Sequence, residues 1–273
     1  MSSNNKIAVL VLSCDSYSDL WHPFFELFFK YWPDCPYKVY LTTNFKDFNN
    51  DRVTTLKSNE KSNWSSELKI VLNKIQENHV IVILEDYFLY DFVDTPWLDS
   101  LIEEYYKQNA SFIRLGIFPE LYNQLRPGKI INKNPDILNL EKGSEYRVDL
   151  QIALWKKEFL TDLIKEGEAP WEFELGASQR SNLKNDLVLG LKPIKHVNIV
   201  HGPISYECGA VTKGVWMRKA IKIAKENNVK LDLSQRPVET LYRHYRRLVY
   251  TSMPFFMRKV IDKVLSLISI KNS

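Results

Sequence analysis

The sequence predicts an α/β protein whose mostly parallel central sheet is covered by helices on both faces, with a helical extension at the C-terminal end. Continuous β-branched runs at residues 7–13 and 79–86 have the length and composition of strands buried on both faces. Between such runs lie segments with apolar residues at helical spacing, and strands alternating with helices imply parallel pairing. The 273 residues are 45% apolar, enough for one sizeable core.

The elements follow in order. IAVLVLS (7–13) reads as a strand and leads into an aromatic helical stretch around 20–31; KVYLTTN (38–44) is the next strand. After a polar turn, 64–76 places Leu68, Val71, Leu72 and Ile75 on one helix face, with Ser65 or Ser66 as its cap. HVIVILED (79–86) is a strand, Thr95-Pro96 opens a helix to about Gln108, and SFIRLGIF (111–118) is a strand. The Asn-, Gly-, Pro- and Lys-rich stretch 119–145 reads as a long loop, a kind of segment that often carries function. Beyond it the pattern predicts a strand at 146–154, a helix at 156–165, the segment PWEFELGAS, a strand at 195–202 and a helix at 215–228. Two further helical stretches close the chain, which divides into a nucleotide-binding unit at 1–235 and a basic amphipathic tail at 236–273.

Cys14, Cys35 and Cys208 are widely spaced and match no zinc or thioredoxin pattern, so reduced thiols and a cytoplasmic location are expected. The run at 7–13 is a strand by length, not a signal peptide or a membrane span. The net charge is +4, yet 236–273 holds eight basic residues and two acidic ones, leaving the preceding residues at −2. Basic residues confined to one tail, with no recognised motif, exclude nucleic acid as the expected partner. P-loop, GxGxxG, HExxH and GxSxG patterns are absent, removing P-loop NTPases, ordinary dehydrogenases, zincins and α/β-hydrolases from consideration.

Ligands of parallel sheets bind beyond the carboxyl ends of the strands, so Ser13–Asp15, Thr42–Asn44 and Glu85-Asp86 become candidates. Adjacent carboxylates at the tip of a buried strand need solvent, hydrogen bonds or a cation; the pair is either a divalent-cation site or a solvated strand end. Glu172 and Glu174 lie among aromatics after Pro170. They can supply a general base of raised pKa, or they begin a helix with Trp171 and Phe173 packed inward. His201, before Gly202-Pro203, is either a ligand or a polar strand terminus.

Three stretches, taken in order, resemble a family of bacterial glycosyltransferases encoded with O-antigen and capsule genes. They are VLSCDSYSDLW with FFELFFKYWPDCPYKVYLTTN (11–44), the Trp-Ser helix running into LEDYFL (64–89), and YRVDLQIALWKKEFLTDLIKEGEAPWEFE (146–174). The resemblance covers roughly 7–215 and implies a GT-A-like, Rossmann-like fold that transfers a sugar from a nucleotide diphosphate. It implies that Asp86, assisted by Glu85, holds Mg²⁺ or Mn²⁺, although Leu84 and Tyr87 flank the pair where Asp-x-Asp would be usual. Ser13, Cys14, Asp15, Tyr17, Thr43, Asn44 and Trp64 would line the nucleotide, and Lys213 would meet its phosphates. His201 would add a metal ligand, and Glu172 or Glu174 would be the base of an inverting transfer. The expected acceptor is a surface glycan, including polyprenyl-linked oligosaccharide.

In the tail, Phe256, Val260, Val264 and Leu267 share one side, with Arg258, Lys259 and Lys263 around the rest. That pattern fits either a peripheral anchor on anionic lipid at the inner face of the cytoplasmic membrane or a helix docked on the domain. Two other functions compete. A nucleotidyltransferase predicts a Gly-rich loop near the start, where LSCDSYSDLW has no glycine. An inert sugar-nucleotide or membrane-binding module of an assembly complex predicts that Asp86 is dispensable.

Overall fold

All six residues of strand β1 (Ile7–Leu12) are buried, so their backbone groups must be paired within a sheet. The computed structural model, which describes residues 6–116, 127–130, 136–144, 146–192, 201–253 and 257, pairs β1 in parallel on both sides. Its neighbours are β2 (Lys38–Thr43) and β4 (His79–Leu84), with β3 (Val53–Lys57) outside β2. A 3₁₀ turn (Asp15–Leu20) and helix α1 (Trp21–Tyr31) connect β1 to β2, and α2 (Trp64–Lys74) connects β3 to β4.

After β4 come β5 (Phe88–Leu89), α3 (Thr95–Lys107) and β6 (Phe112–Arg114), then β7 (Pro127–Ile130), β8 (Ile137–Leu140) and β9 (Ala153–Lys156). Helices α4 (Lys157–Leu163) and α5 (Pro170–Ser181) precede β10 (Val188–Leu191). The chain continues through β11 (Tyr206–Glu207), the hairpin β12 (Val211–Thr212) and β13 (Val215–Trp216), α6 (Arg218–Glu226) and α7 (Leu241–Ser252). Among the described residues the central sheet has nine strands in the order β3-β2-β1-β4-β9-β6-β10-β8-β7, and only β9 and β8 run against the rest.

This is the expected α/β, mostly parallel, Rossmann-like architecture with helices on both faces. Alternation along β1 divides the core: Ile7, Val9 and Val11 join the aromatic face of α1 and α3, while Ala8, Leu10 and Leu12 join α2, α4 and α5. The three cysteines are free thiols.

Several elements differ from expectation. β3 escaped notice because, apart from Val53, it is only partly buried and reads as polar. The expected loop at 119–145 contains β7 and β8. The strand expected at 146–154 is confined to β9: the Val148 and Leu150 amides donate instead to Ser178 Oγ (3.3 Å) and Glu174 Oε1 (3.0 Å) of α5. Helix α2 is capped not by Ser65 or Ser66 but by Asn63, which accepts the Ser66 N–H at 2.9 Å. Val215 and Trp216 are strand, and the helix begins at Arg218. Of the strand expected at 195–202 only His201 and Gly202 are among the described residues, and the tail pattern from Phe256 to Leu267 lies outside them apart from Met257.

One buried ion pair secures the centre. Arg114 Nε donates to Asp149 Oδ1 at 3.2 Å and Nη2 to the Tyr146 carbonyl at 2.6 Å, with both side chains almost fully enclosed. Burial raises the Asp149 pKa and the guanidinium opposes the rise. Arg114→Met leaves that carboxylate uncompensated and is expected to cost about 3–5 kcal/mol in urea unfolding. The double variant Arg114→Met/Asp149→Leu should recover most of that loss.

Candidate functional site

Parallel register decides what meets at the carboxyl edge of the sheet. Leu12 pairs with Leu84, so Ser13 and Glu85 emerge side by side, and the Glu85 N–H donates to the Leu12 carbonyl at 3.3 Å. Ser13 is locked to the next strand, its N–H donating to Thr42 Oγ1 at 2.8 Å, and its own hydroxyl accepts the Trp21 indole N–H at 2.7 Å. Asp15 and Asn44 lock the following loops together. The Asp15 carboxylate accepts the amides of Asn44 (2.9 Å), Phe45 (3.1 Å) and Lys46 (3.2 Å), and Asn44 Oδ1 accepts the Asp15 N–H at 3.1 Å. These two residues shape the loop, and their polar atoms are largely engaged in doing so.

A narrow crevice of about 20 Å³ opens beside them, lined by Ser13, Thr42, Thr43, Ser58, Trp64 and Glu67. It unites the ends of β1, β2 and β3 with the start of α2. Trp64 rests on Phe173 of α5, ring centroids 5.2 Å apart.

Glu85 and Asp86 lie in the turn after β4 and are held from above. β5 pairs with β11, Tyr87 stacks on Tyr206 at 5.0 Å, and the Ala210 N–H donates to the Asp86 carbonyl at 2.7 Å. Burial raises the pKa of both carboxyls, that of Asp86 to about 7; for Glu85 the Asp86 charge adds to the rise, opposed by Arg236 and a hydrogen bond from Ser13. Desolvation likewise raises the Tyr17 phenol, with Glu85 and Asp86 contributing, which puts Tyr17 and the loop containing Cys14 beside the pair. Cys14 Sγ itself contacts Ser16 Oγ at 3.0 Å.

The sequence did not single out Arg236, which reads there as one more basic tail residue. Its guanidinium forks onto Asp19 at 2.7 and 2.8 Å and lies 4.4 Å from the Tyr17 ring centre. Gln151 is a second addition: its carbonyl oxygen accepts the Tyr206 hydroxyl at 2.9 Å, and its amide lies 3.7 Å from Cys208 Sγ. No local pattern marks it, because its partners lie 55 and 57 residues away.

The two glutamates of α5 separate in role. Glu172 is exposed, and its Oε2 accepts the Ala169 N–H at 2.9 Å, closing the first turn of its own helix. Glu174 is half-buried, and desolvation followed by the Asp149 charge raises its pKa to about 7. Phe173 packs inward as expected, but Trp171 is 66% exposed.

Lys213 is exposed at the tip of the β12–β13 hairpin, where it and Gly214 both have positive φ (51° and 74°). The segment leading into that hairpin is the one held on Asp86. His201 is placed elsewhere, against Trp97 of α3 with centroids 5.1 Å apart. Among the described residues no three His, Cys, Asp or Glu side chains gather in a metal-holding group, so His201 does not join Glu85 and Asp86. A larger cavity of about 460 Å³ lies at the opposite end of the sheet. There the Arg147 guanidinium is occupied by the carbonyls of Leu140, Ser181 and Asp186.

No protein-family model matches the chain, and no curated protein matches it by sequence. Solved structures do share parts of its shape. TarS 1–349 of S. aureus aligns with TM-score 0.41 and 11% identity over 68% of this chain and 57% of that one. A UDP-glucose pyrophosphorylase complexed with UDP-glucose aligns with TM-score 0.46 and 8% identity over 74% and 91%. The mannosyltransferase PcManGT of Pyrobaculum calidifontis, in complex with GDP-Man and Mn²⁺, aligns with TM-score 0.45 and 11% identity over 70% and 55%. The chain thus spans just over half the length of the TarS and PcManGT chains.

Glu174 makes stability depend on pH. Its folded pKa of about 7 exceeds the ordinary 4.5, so the folded state binds the extra proton between those values. The contribution is complete below about 4.5 and lost as pH rises through about 7. Between pH 5 and 8, Glu174→Gln should remove on the order of 2 kcal/mol of the wild-type decline, read from thermal midpoints. An unchanged slope would show that Glu174 titrates normally.

Proposed function

We propose that the chain is a glycosyltransferase that moves a sugar from a nucleotide-diphosphate donor to a surface-glycan acceptor, including a lipid-linked one. The observation that carries the reading is the convergence of three features at one sheet edge. These are the crevice at Ser13, Thr43 and Trp64, the enclosed carboxyl pair Glu85-Asp86, and the raised-pKa carboxyl of Glu174 on the neighbouring helix.

The nucleoside enters between β1, β2 and α2, with Thr42 and Thr43 at its polar edge. About 20 Å³ admits a water but not a base, so Trp64 turns away from Phe173 to receive it. Tyr17 and the loop held by the Asp15–Asn44 lock cover the diphosphate, and Lys213 reaches it from the hairpin.

Glu85 and Asp86 fit a divalent cation, because two enclosed carboxyls with raised pKa ionise at less cost beside one. Mg²⁺ or Mn²⁺ held there, chiefly by Asp86, would supply the charge that stabilises the departing diphosphate. Glu174, half ionised near neutral pH, accepts the proton of the attacking acceptor hydroxyl. Glu172, committed to its helix turn, is not needed for that step. A deprotonated Glu174 as base means inversion, with activity rising as pH passes through about 7.

The test is a panel of UDP-, GDP- and dTDP-sugars in thermal shift, with and without Mn²⁺. One donor class should raise the midpoint by several degrees only with metal, as a ligand near 100 times its Kd adds about 2.7 kcal/mol. Asp86→Ala should abolish the shift. Glu174→Gln should keep the shift and lower kcat by roughly 10²- to 10⁴-fold. Absence of any shift at saturating donor would reject transfer in favour of an inert module.

A further inference from the structure

Helix α7 is mounted the wrong way round for a helix of a globular domain. Its polar side faces the protein: Glu239, 4% exposed, accepts Arg247 at 3.2 Å and lies 3.1 Å from His244 Nδ1. The root is fixed further by the Arg218 Nε bond to the Glu239 carbonyl at 2.7 Å and by the Glu239 N–H donating to the Trp216 carbonyl at 2.8 Å. The apolar side faces out. Leu241, Tyr242, Tyr245, Leu248 and Val249 are between 45% and 74% exposed. At 3.6 residues per turn they share an arc of about 120°.

Ordinary surface helices bury such a stripe and expose their arginines. Here exposed Arg246 borders the stripe, exposed Arg243 lies on the opposite side of the helix, and no acidic residue occurs from Thr240 through Met253. A second copy of the chain would bring like charges together across an isologous contact. An anionic lipid surface complements Arg246, takes Leu and Val below its headgroups, and suits tyrosine at that level. Among the described residues no helix is long and apolar enough to cross a membrane.

We propose that α7 is a peripheral docking helix that lays this stripe into the interface of an anionic membrane. Its root lies beside the candidate site, because Arg236 grips Asp19 and covers Tyr17. Docking therefore holds the donor loop close to the membrane surface. That the site then meets a lipid-linked acceptor rests on the sugar-transfer reading; membrane binding itself does not.

The test is co-sedimentation of the full chain with phosphatidylcholine vesicles, with and without phosphatidylglycerol. Binding is expected only with phosphatidylglycerol and should weaken as salt is raised. Arg246→Gln should lower the partition coefficient roughly fivefold. Tyr245→Ser/Leu248→Ser should lower it by roughly tenfold or more. Thermal midpoints should hold in both variants, since the altered side chains are largely exposed. Light scattering should show a monomer throughout.

The proposal is overturned if the wild type ignores anionic vesicles or if the variants bind as well as the wild type. A dimer that dissociates in the Ser variant would assign the stripe to self-association and overturn it as well. None of these readouts needs a donor, so failure of nucleotide-sugar binding would leave the result standing.

Discussion

Burial of β1 is the constraint from which the rest follows. A strand enclosed on both faces can satisfy its amides and carbonyls only through its neighbours, and β1 does so with β2 and β4 in parallel. Parallel pairing sends the strands out at the same edge and requires a crossover to return, made here by α1 between β1 and β2 and by α2 between β3 and β4. The register that matches Leu12 with Leu84 then sets Ser13 against Glu85. The site begins as a by-product of pairing two apolar strands.

What gathers at that edge is costly in the absence of a ligand. Two carboxyls sit in a turn capped by Tyr87, Tyr206 and the backbone of Ala210, where desolvation favours their protonated forms. Arg236 supplies a nearby positive charge from far along the chain, while Ser13 contributes a hydrogen bond. Glu174 meets the same penalty on α5. Asp86 and Glu174, poised near neutrality, suit binding and proton transfer far better than stability.

The C-terminal region belongs to this electrostatic arrangement. Arg236 is committed to Asp19 and the Tyr17 ring, and Glu239 to α6 and α7. With His244 and Arg247 used for attachment, α7 turns Leu241, Tyr242, Tyr245, Leu248 and Val249 outward. Charge and orientation are thus coupled: Arg236 steadies the loop of Tyr17 and Asp19, and Glu239, three residues on, decides which side of the helix meets solvent.

Elements with strong periodicity were legible in the sequence, as were the strand-end candidates. The β-branched runs at β1 and β4 and the aromatic face of α1 state their burial locally, and parallel sheets place chemistry beyond their carboxyl ends. Weakly patterned pieces were not: β3 is a half-exposed strand, and residues 146–152 resemble a strand but give two amides to α5. Tertiary structure alone separated Glu172 from Glu174, since Glu174 is desolvated and lies near Asp149 while Glu172 stays exposed and closes its own helix turn. It alone moved His201 to Trp97 and brought Arg236 to a loop 217 residues earlier. The physical reason is the range of the forces involved: propensity and periodicity act within a few residues, whereas desolvation and ion pairing depend on which distant segments the fold brings into contact.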